Sequence, residues 1–253
     1  MHQSRSFENV NHWYNKLVGD EGHYYHKNVI LPNIENMLQF AKIKKASILD
    51  IGCGQGILSK TIPSDWQYVG LDLSGSLIKE AKKSNRKKNH QFIEHDATLP
   101  IDLKNEFDFV TFILSLQDID DGNAAITHAA SHLKSKGKMI LVLNHPFFRI
   151  PRQTSWHIDQ KNRKMTREVS AYLSPMKIPI QTAPSKNDRS KTVFSHHTPL
   201  SVYSKWFQKS GLLIESIDEW ISDKKSTSGP FAKIENRLRK EIPLFMTITL
   251  VKL

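Results

Sequence analysis

Residues 48–56 read Ile-Leu-Asp-Ile-Gly-Cys-Gly-Gln-Gly. A short apolar run that ends in three glycines predicts a buried strand, a tight turn and the start of a helix. Because glycine has no side chain, a ligand can approach the backbone of such a turn closely. The stretch therefore predicts an α/β fold with a ligand-binding loop after its first strand, although nucleotide, flavin and nicotinamide sites all share a loop of this kind.

Two details of this glycine loop argue against a dinucleotide ligand. The dinucleotide fingerprint has glycine at its first, third and sixth positions, and the sixth position here is Ile57. Asp50 lies two residues before the first glycine. Its carboxylate would repel a pyrophosphate but attract an ammonium group. We therefore expect a ligand that carries positive charge near Asp50.

Strands and helices alternate after the glycine loop. Further apolar strands are predicted at 68–73, 91–94, 107–116 and 138–143, with helices at 57–62, 77–83 and 124–133. Ser74 is expected to cap the second of these helices, and Gly137 to close the third. Near-continuous apolar strands separated by helices are typical of a parallel sheet covered on both faces.

The chain divides into four predicted segments. Residues 1–45 form an N-terminal helical cap with Pro32 at a helix start, 46–145 the cofactor-binding core, 146–200 an insertion, and 201–253 a closing helix with two strands. Within the insertion, a hairpin is predicted around 159–164 and a mobile loop at 181–195. The closing helix is predicted at 202–209, and the two strands at 212–220 and 244–250. Residues 222–230 are expected to form an exposed connection.

The composition argues against a disulfide-rich, a membrane-spanning and a secreted protein. The 253 residues contain a single cysteine, Cys53, which excludes a disulfide framework and a metal cluster built on several cysteines. No apolar run approaches the ~20 residues that a membrane-spanning helix needs. The start, MHQSRSFENV, lacks the apolar region of a secretory signal. We therefore expect a cytoplasmic protein with no membrane span and no bound metal.

Positive charge is concentrated in the insertion. The chain has 36 basic and 25 acidic residues, a net charge of +11. Residues 146–200 hold ten basic and three acidic residues, which gives +7 of that excess. Such a segment is either a solvated surface or an attractor of phosphate, carboxylate or nucleic acid, and charge alone does not choose between them.

Two more acidic residues follow predicted strands. Asp72 ends the second strand, twenty-two residues after Asp50, where a carboxylate can accept hydrogen bonds from both ribose hydroxyls. Asp96 follows the third strand and could accept a hydrogen bond from an adenine amino group. Three acids at successive strand ends after a glycine loop predict a site for a cationic nucleoside.

These motifs together resemble the class I S-adenosylmethionine-dependent methyltransferases. The matching stretches are residues 49–56, Gly70-Leu71-Asp72, His95-Asp96-Ala97 and Asp108-Phe109-Val110. The resemblance implies a Rossmann-like, seven-stranded, mostly parallel sheet with helices on both faces, and S-adenosylmethionine as cofactor. It places Asp50, Gly52, Cys53 and Gly54 at the methionine end, Asp72 and Leu73 at the ribose, Asp96 and Ala97 at the adenine, Leu114, Ser115 and Gln117 beside the cofactor, and Tyr14 and Tyr24 over it.

The motifs identify the acceptor less specifically than the cofactor, because one fold serves many acceptors. Architecture of this kind is similar to the quinone-biosynthesis methyltransferases, which implies a small acceptor and direct displacement. His145 and His23 are the candidates for handling a proton. Aromatic and arginine side chains suit an anionic or aromatic acceptor, and the predicted substrate residues are Phe148, Arg149, Arg152 and Trp156.

Alternatives to a small acceptor remain open at this point. Residues 114–118 read Leu-Ser-Leu-Gln-Asp rather than the Asn/Asp-Pro-Pro-aromatic tetrad of amine methylation, and no second cysteine serves a covalent route. A nucleic-acid methyltransferase, acting on RNA, would instead use the basic surfaces to contact phosphates. An inactive cofactor-binding module would do the same. The chain is expected to be a monomer or a homodimer.

Overall fold

The computed structural model describes residues 22–39, 42–181 and 192–253. Its helices are α1 (Leu31–Leu38, preceded by a π-helical segment at His26–Ile30), α2 (Ile57–Thr61), α3 (Gly75–Ser84), α4 (Gly122–Ser131), α5 (Leu200–Lys209) and α6 (Ala232–Glu241). Its strands are β1 (Ser47–Ile51), β2 (Gln67–Asp72), β3 (His90–Glu94), β4 (Phe107–Ile113), β5 (Leu133–Asn144), β6 (Thr154–Asp159), β7 (Lys164–Val169), β8 (Met176–Gln181), β9 (Thr192–His197), β10 (Leu212–Trp220) and β11 (Phe245–Lys252).

Seven strands form one sheet in the order β10-β11-β5-β4-β1-β2-β3. β1 to β5 are parallel to one another, whereas β11 runs antiparallel between β5 and β10. The predicted Rossmann-like, mostly parallel sheet is confirmed. The segment between β5 and α5 adds two separate antiparallel hairpins, β6–β7 and β8–β9.

Helices cover both faces of this sheet, because successive strand residues point to opposite sides. Ile48 of β1 packs with residues of α1, α2 and α3 on one face. Its neighbour Leu49 packs with residues of α4 and α5 on the other face. Both side chains are fully buried. No helix among the described residues is long and apolar enough to cross a membrane.

Several local predictions are confirmed. Ser74 caps α3, accepting a hydrogen bond from the Leu77 amide at 3.3 Å. Pro32 lies in the first turn of α1, which continues directly from the π-helical segment His26–Ile30. The hairpin predicted around 159–164 is β6–β7.

Other predictions were wrong. β4 ends at Ile113 rather than at Leu116, because Leu114 turns the chain with a φ of 55°. Gly137 does not close α4, whose C-cap is His132, and lies within β5 instead. Residues 192–195 of the predicted loop belong to β9, and residues 182–191 lie outside the described part of the chain. Helix α6 was not predicted.

Candidate functional site

The carboxyl ends of β1 to β5 meet at one edge of the sheet, and hydrogen bonds join the loops that follow them. The amide of Gly54 donates to Asp72 Oδ2 at 2.8 Å, which links the loops after β1 and β2. The amide of His95 donates to the Asp72 carbonyl at 2.9 Å, which adds the loop after β3. A rigid scaffold of this kind is a common position for a ligand in α/β sheets.

The loop after β4 is fastened to the glycine loop in the same way. The Ser115 hydroxyl donates to the Ile51 carbonyl at 2.5 Å. Gly52 has a φ of 71°, and a Cβ built there would lie 2.4 Å from the Ser115 Cβ. Gly52 is therefore required by both its backbone conformation and the close approach of Ser115. Leu114 and Ser115 are half-buried at this junction.

The Asp50 carboxylate lies beneath the glycine loop, inside the sheet. It accepts hydrogen bonds from the Tyr68 hydroxyl at 2.7 Å and from the Thr111 hydroxyl at 2.8 Å. Burial raises the pKa of Asp50 to about 6, and the two hydroxyl donors oppose that rise. Its role toward a methionine ammonium group stays a prediction. Sequence reasoning missed Tyr68 and Thr111, whose partnership depends on strand pairing.

The Asp72 carboxylate is held in one orientation at the end of β2. Gly54 donates to its Oδ2, and the amide of Ser74 donates to its Oδ1 at 2.9 Å. A carboxylate oxygen has more than one acceptor position, so both oxygens can accept further bonds. The orientation suits the predicted contact with ribose hydroxyls. Leu73 follows it, half-buried.

Cys53 is a buried free thiol packed under the loop. A Cβ on Gly70 of β2 would lie 2.8 Å from its Sγ, so the glycine makes room for the sulfur. Burial and the nearby Asp72 and Asp50 carboxylates raise the pKa of the thiol. The thiol is therefore neutral and suited to packing.

Asp96 shapes the loop after β3. Its Oδ1 accepts from the Thr98 amide at 2.9 Å and from the Thr98 hydroxyl at 2.7 Å. This turn presents residues 95–97 at the same edge as Asp72. Ala97 packs against the apolar cluster that contains Leu71. The predicted adenine contact of Asp96 and Ala97 fits this placement and stays a prediction.

The described start of the chain packs on the segment after β10. The Tyr24 hydroxyl donates to Asp223 Oδ2 at 2.8 Å, and Lys224 Nζ lies 4.4 Å from the Tyr24 ring centroid. His23 lies against Tyr25, with ring centroids 5.8 Å apart. The predicted cofactor residue Tyr14 lies outside the described residues. Sequence reasoning did not find the partners Asp223 and Lys224.

His26 lies in the same stretch as His23 and Tyr24 but was not among the predicted site residues. A Cβ on Gly22 would approach both His26 and Ile57, which places the imidazole close to the start of α2. Its Nδ1 is buried and has no hydrogen-bond partner within the described structure. Burial lowers the pKa of His26 to about 4, so the ring is neutral. The π-helical segment that carries it is a feature often found at functional sites.

His145 follows β5 with both ring nitrogens occupied. Nδ1 accepts from the Phe147 amide at 3.2 Å, so Nε2 carries the proton and donates to Glu219 Oε1 at 2.7 Å. The His145 side chain is 1% exposed. Burial lowers its pKa although Glu219 opposes the change. These contacts suit a positioning role better than the predicted proton transfer, which stays untested, as does the proton-transfer role of His23.

The predicted substrate residues differ in their surroundings. Arg152 donates to the Pro179 carbonyl at 2.8 Å and thereby ties β8 to the turn after β5. Phe148 packs on His145, with ring centroids 4.8 Å apart. The Arg167 guanidinium lies 5.2 Å from the Trp156 ring centroid. Arg149 is exposed, and no acidic partner for it is found in the described part of the chain.

The β8–β9 hairpin is fastened to the turn after β4. Asp120 Oδ1 lies 2.6 Å from Lys177 Nζ and 3.2 Å from His196 Nε2. Gln117 Oε1 accepts from the Asn144 amide at 2.9 Å, so this turn also contacts the end of β5. A cavity of about 30 Å³, lined by Gln117, His145, Arg149 and His196 among others, lies between them. Nothing in the sequence pattern indicated that Asp120 would join these elements.

No cluster of metal-ligating side chains occurs within residues 22–39, 42–181 and 192–253. The carboxylates and imidazoles at this edge instead form hydrogen bonds with hydroxyl groups, with amides and with one another. Within the described chain, the site therefore consists of a glycine loop, oriented carboxylates and a basic insertion.

Comparison with known proteins agrees with this geometry. Residues 23–216, well over half of the chain, match the family model described as "Methyltransferase domain". A demethylmenaquinone methyltransferase from Staphylococcus carnosus is 32% identical over 140 residues, which are 53% of this chain and 56% of that protein. The biotin biosynthesis bifunctional protein BioCD from Bordetella avium is 24% identical over 173 residues, which are 66% of this chain and 36% of that protein.

A solved structure shows the same fold. The S-adenosylmethionine-dependent methyltransferase from Mesorhizobium loti superposes with a TM-score of 0.68 and 21% identity, covering 87% of this chain and 96% of that one. The chain spans about a third to somewhat more than half of the lengths of the two curated relatives named above. The family match, the sheet and the glycine loop agree. The chain belongs to the class I S-adenosylmethionine-dependent methyltransferases, in a branch similar to the quinone-biosynthesis enzymes.

Proposed function

We propose that this chain transfers a methyl group from S-adenosylmethionine to a small anionic or aromatic acceptor. The observation that carries the proposal is the hydrogen-bonded edge, in which Asp72 is oriented by the glycine-loop amide of Gly54. When bound, S-adenosylmethionine supplies a methyl group already activated on a sulfonium. The protein then needs mainly to align the acceptor and exclude water.

The residues at the edge divide that work. Asp72 would bind the ribose, and Asp96 with Ala97 would border the adenine. The glycine loop, with Asp50 beneath it, would accommodate the methionine end. Ser115 keeps the loop after β4 against Gly52, so the cofactor and acceptor sides keep a fixed separation.

We assign the acceptor side to residues 146–200, which would serve as a lid. Arg149 lines the cavity between this insertion and the turn after β4. Burial lowers the pKa of Arg167, and the positive charge of Arg149 adds to that effect. The cationic Arg149 and the aromatic Phe148 in this segment favour an acceptor with a carboxylate or an acidic phenol. The present cavity of about 30 Å³ is much smaller than a typical ligand pocket, so the lid would open for an acceptor to enter.

Titration calorimetry with S-adenosylmethionine and S-adenosylhomocysteine tests the cofactor. Saturable binding of both is expected, because each carries the nucleoside that the edge carboxylates recognise. At 100 times the dissociation constant, either ligand should stabilise the fold by about 2.7 kcal/mol. NAD is the control and should give no heat, since Asp50 disfavours a pyrophosphate. Absence of binding by a folded sample would contradict the proposed cofactor site.

Replacing Arg149 with glutamine tests the acceptor. With radiolabelled S-adenosylmethionine and a panel of hydroxybenzoates, we expect KM for the carboxylated acceptor to rise about 10- to 100-fold, as for the loss of a charge-assisted hydrogen bond. The cofactor dissociation constant should not change. Arg86→Gln, at an exposed arginine after α3, is the matched control. Methyl transfer to RNA that weakens steeply with salt would contradict a small acceptor.

A further inference from the structure

The β6–β7 hairpin has one apolar face. Its register places Thr154 opposite Val169, Trp156 opposite Arg167, and Ile158 opposite Met165. Because alternate strand residues share a face, these six side chains lie on one side of the hairpin. The other side carries polar and charged residues such as His157 and Glu168.

Much of this apolar face is open to solvent. Trp156 is 40% exposed, Ile158 44% and Val169 40%, and Leu173, just beyond the hairpin, is 74% exposed. Single exposed apolar residues are common, but a hairpin that gathers several marks an interaction surface. Arg167 covers part of the Trp156 ring and fixes the base of the hairpin to the Phe148 carbonyl.

Exposed cations lie at the turn of this hairpin and on the helix that contacts it. Lys161, Arg163 and Lys164 are exposed at the hairpin turn. Helix α6 contacts β7, and Lys233, Arg237 and Lys240 are exposed on it, as is the acidic Glu241. Their spacing of four and three residues places these three cations on one side of the helix. Asp159 and Glu168 are the acids within the hairpin, so positive charge predominates there.

We propose that the β6–β7 hairpin and α6 form a surface that docks on a lipid bilayer containing anionic headgroups. Exposed tryptophan and aliphatic side chains can enter the boundary between headgroups and acyl chains, while the surrounding lysines and arginines attract the anionic lipids. The exposed Ile158, Val169 and Leu173 favour a bilayer over a nucleic acid, because phosphate recognition gains nothing from exposed aliphatic groups. The proposal does not depend on the identity of the acceptor.

Co-sedimentation of the full chain with large unilamellar vesicles tests the docking. The chain should bind vesicles of phosphatidylcholine with roughly one-third phosphatidylglycerol, and bind pure phosphatidylcholine far more weakly. Lys161→Glu/Lys164→Glu should lower the partition coefficient about 30-fold or more, since each cation near an anionic surface contributes about fivefold. Ile158→Ser/Val169→Ser should lower it about 10-fold.

Matched variants separate docking from general attraction to a basic protein. Lys82→Glu/Lys88→Glu makes the same charge change at exposed positions on and after α3. Leu213→Ser/Ile217→Ser makes the same polarity change on the exposed strand β10. Both should bind vesicles as the natural chain does. Calorimetry with S-adenosylhomocysteine, run on every variant, shows that each is folded and reports cofactor binding separately from docking.

Three results would overturn the proposal. The first is no sedimentation with anionic vesicles. The second is an equal loss of vesicle binding in the hairpin variants and their matched controls. The third is unchanged vesicle binding in the hairpin variants together with lost binding to a duplex RNA, which would assign the same cations to a nucleic acid.

Discussion

Replacing Asp72 with alanine is expected to weaken S-adenosylmethionine binding by about 1–3 kcal/mol, or roughly 5- to 150-fold. The carboxylate is expected to accept charge-assisted hydrogen bonds from the ribose. It also accepts hydrogen bonds from the backbone amides of Gly54 and Ser74, and the first of these holds the glycine loop in place. Titration calorimetry of the two proteins measures the difference directly.

Asp121→Ala provides the control for Asp72. Asp121 caps α4 and also accepts a hydrogen bond from a backbone amide, that of Ala124, at 2.9 Å. Removing this cap should cost about 1 kcal/mol of stability and leave cofactor affinity unchanged. If Asp72→Ala behaved in the same way, with lower stability and full affinity, Asp72 would have no ribose role.

Replacing Gly52 with alanine is expected to lower the free energy of unfolding by about 2–4 kcal/mol and to reduce cofactor affinity at least about 10-fold. The new Cβ would lie 2.4 Å from the Ser115 Cβ, so the loops after β1 and β4 must separate. The φ of 71° adds strain that any L-residue would bear. Denaturant unfolding and calorimetry measure the two effects.

Gly211 offers a matched control for that substitution. It has a φ of 70°, but a Cβ there would meet nothing within 4 Å. Gly211→Ala should therefore report the backbone strain alone, about 1 kcal/mol. The double variant Gly52→Ala/Ser115→Gly should recover part of the loss. Equal destabilisation by the two single glycine substitutions would show that contact with Ser115 is unimportant.

The features that the sequence predicts well are local ones. Alternation of apolar strands and helices depends on nearby residues, so β1, β2 and β3 are found within one or two residues of their predicted ends. The position of Asp72 at a strand end follows from the same pattern. Ser74 is identifiable as a cap because its partner, Leu77, is three residues away.

Other features depend on residues far apart in the chain. His145 contacts Glu219, 74 residues later, and Asp50 contacts Thr111, 61 residues later. A single sequence gives no signal for such pairs. Helix α6 was missed because charged and polar residues dominate its sequence and none of its residues is buried, so its few apolar residues gave no sign of a core helix.

The position of β11 has a consequence for synthesis of the protein. This strand lies between β5 and β10, and its Ile248 and Leu250 side chains are fully buried. During synthesis, the edge of β5 that pairs with β11 therefore stays unpaired until more than one hundred further residues have been made. Strands β1 to β4 can pair as they emerge, whereas the far side of the sheet closes only after β11 has been made. During that interval, chaperones have an apolar strand edge to protect.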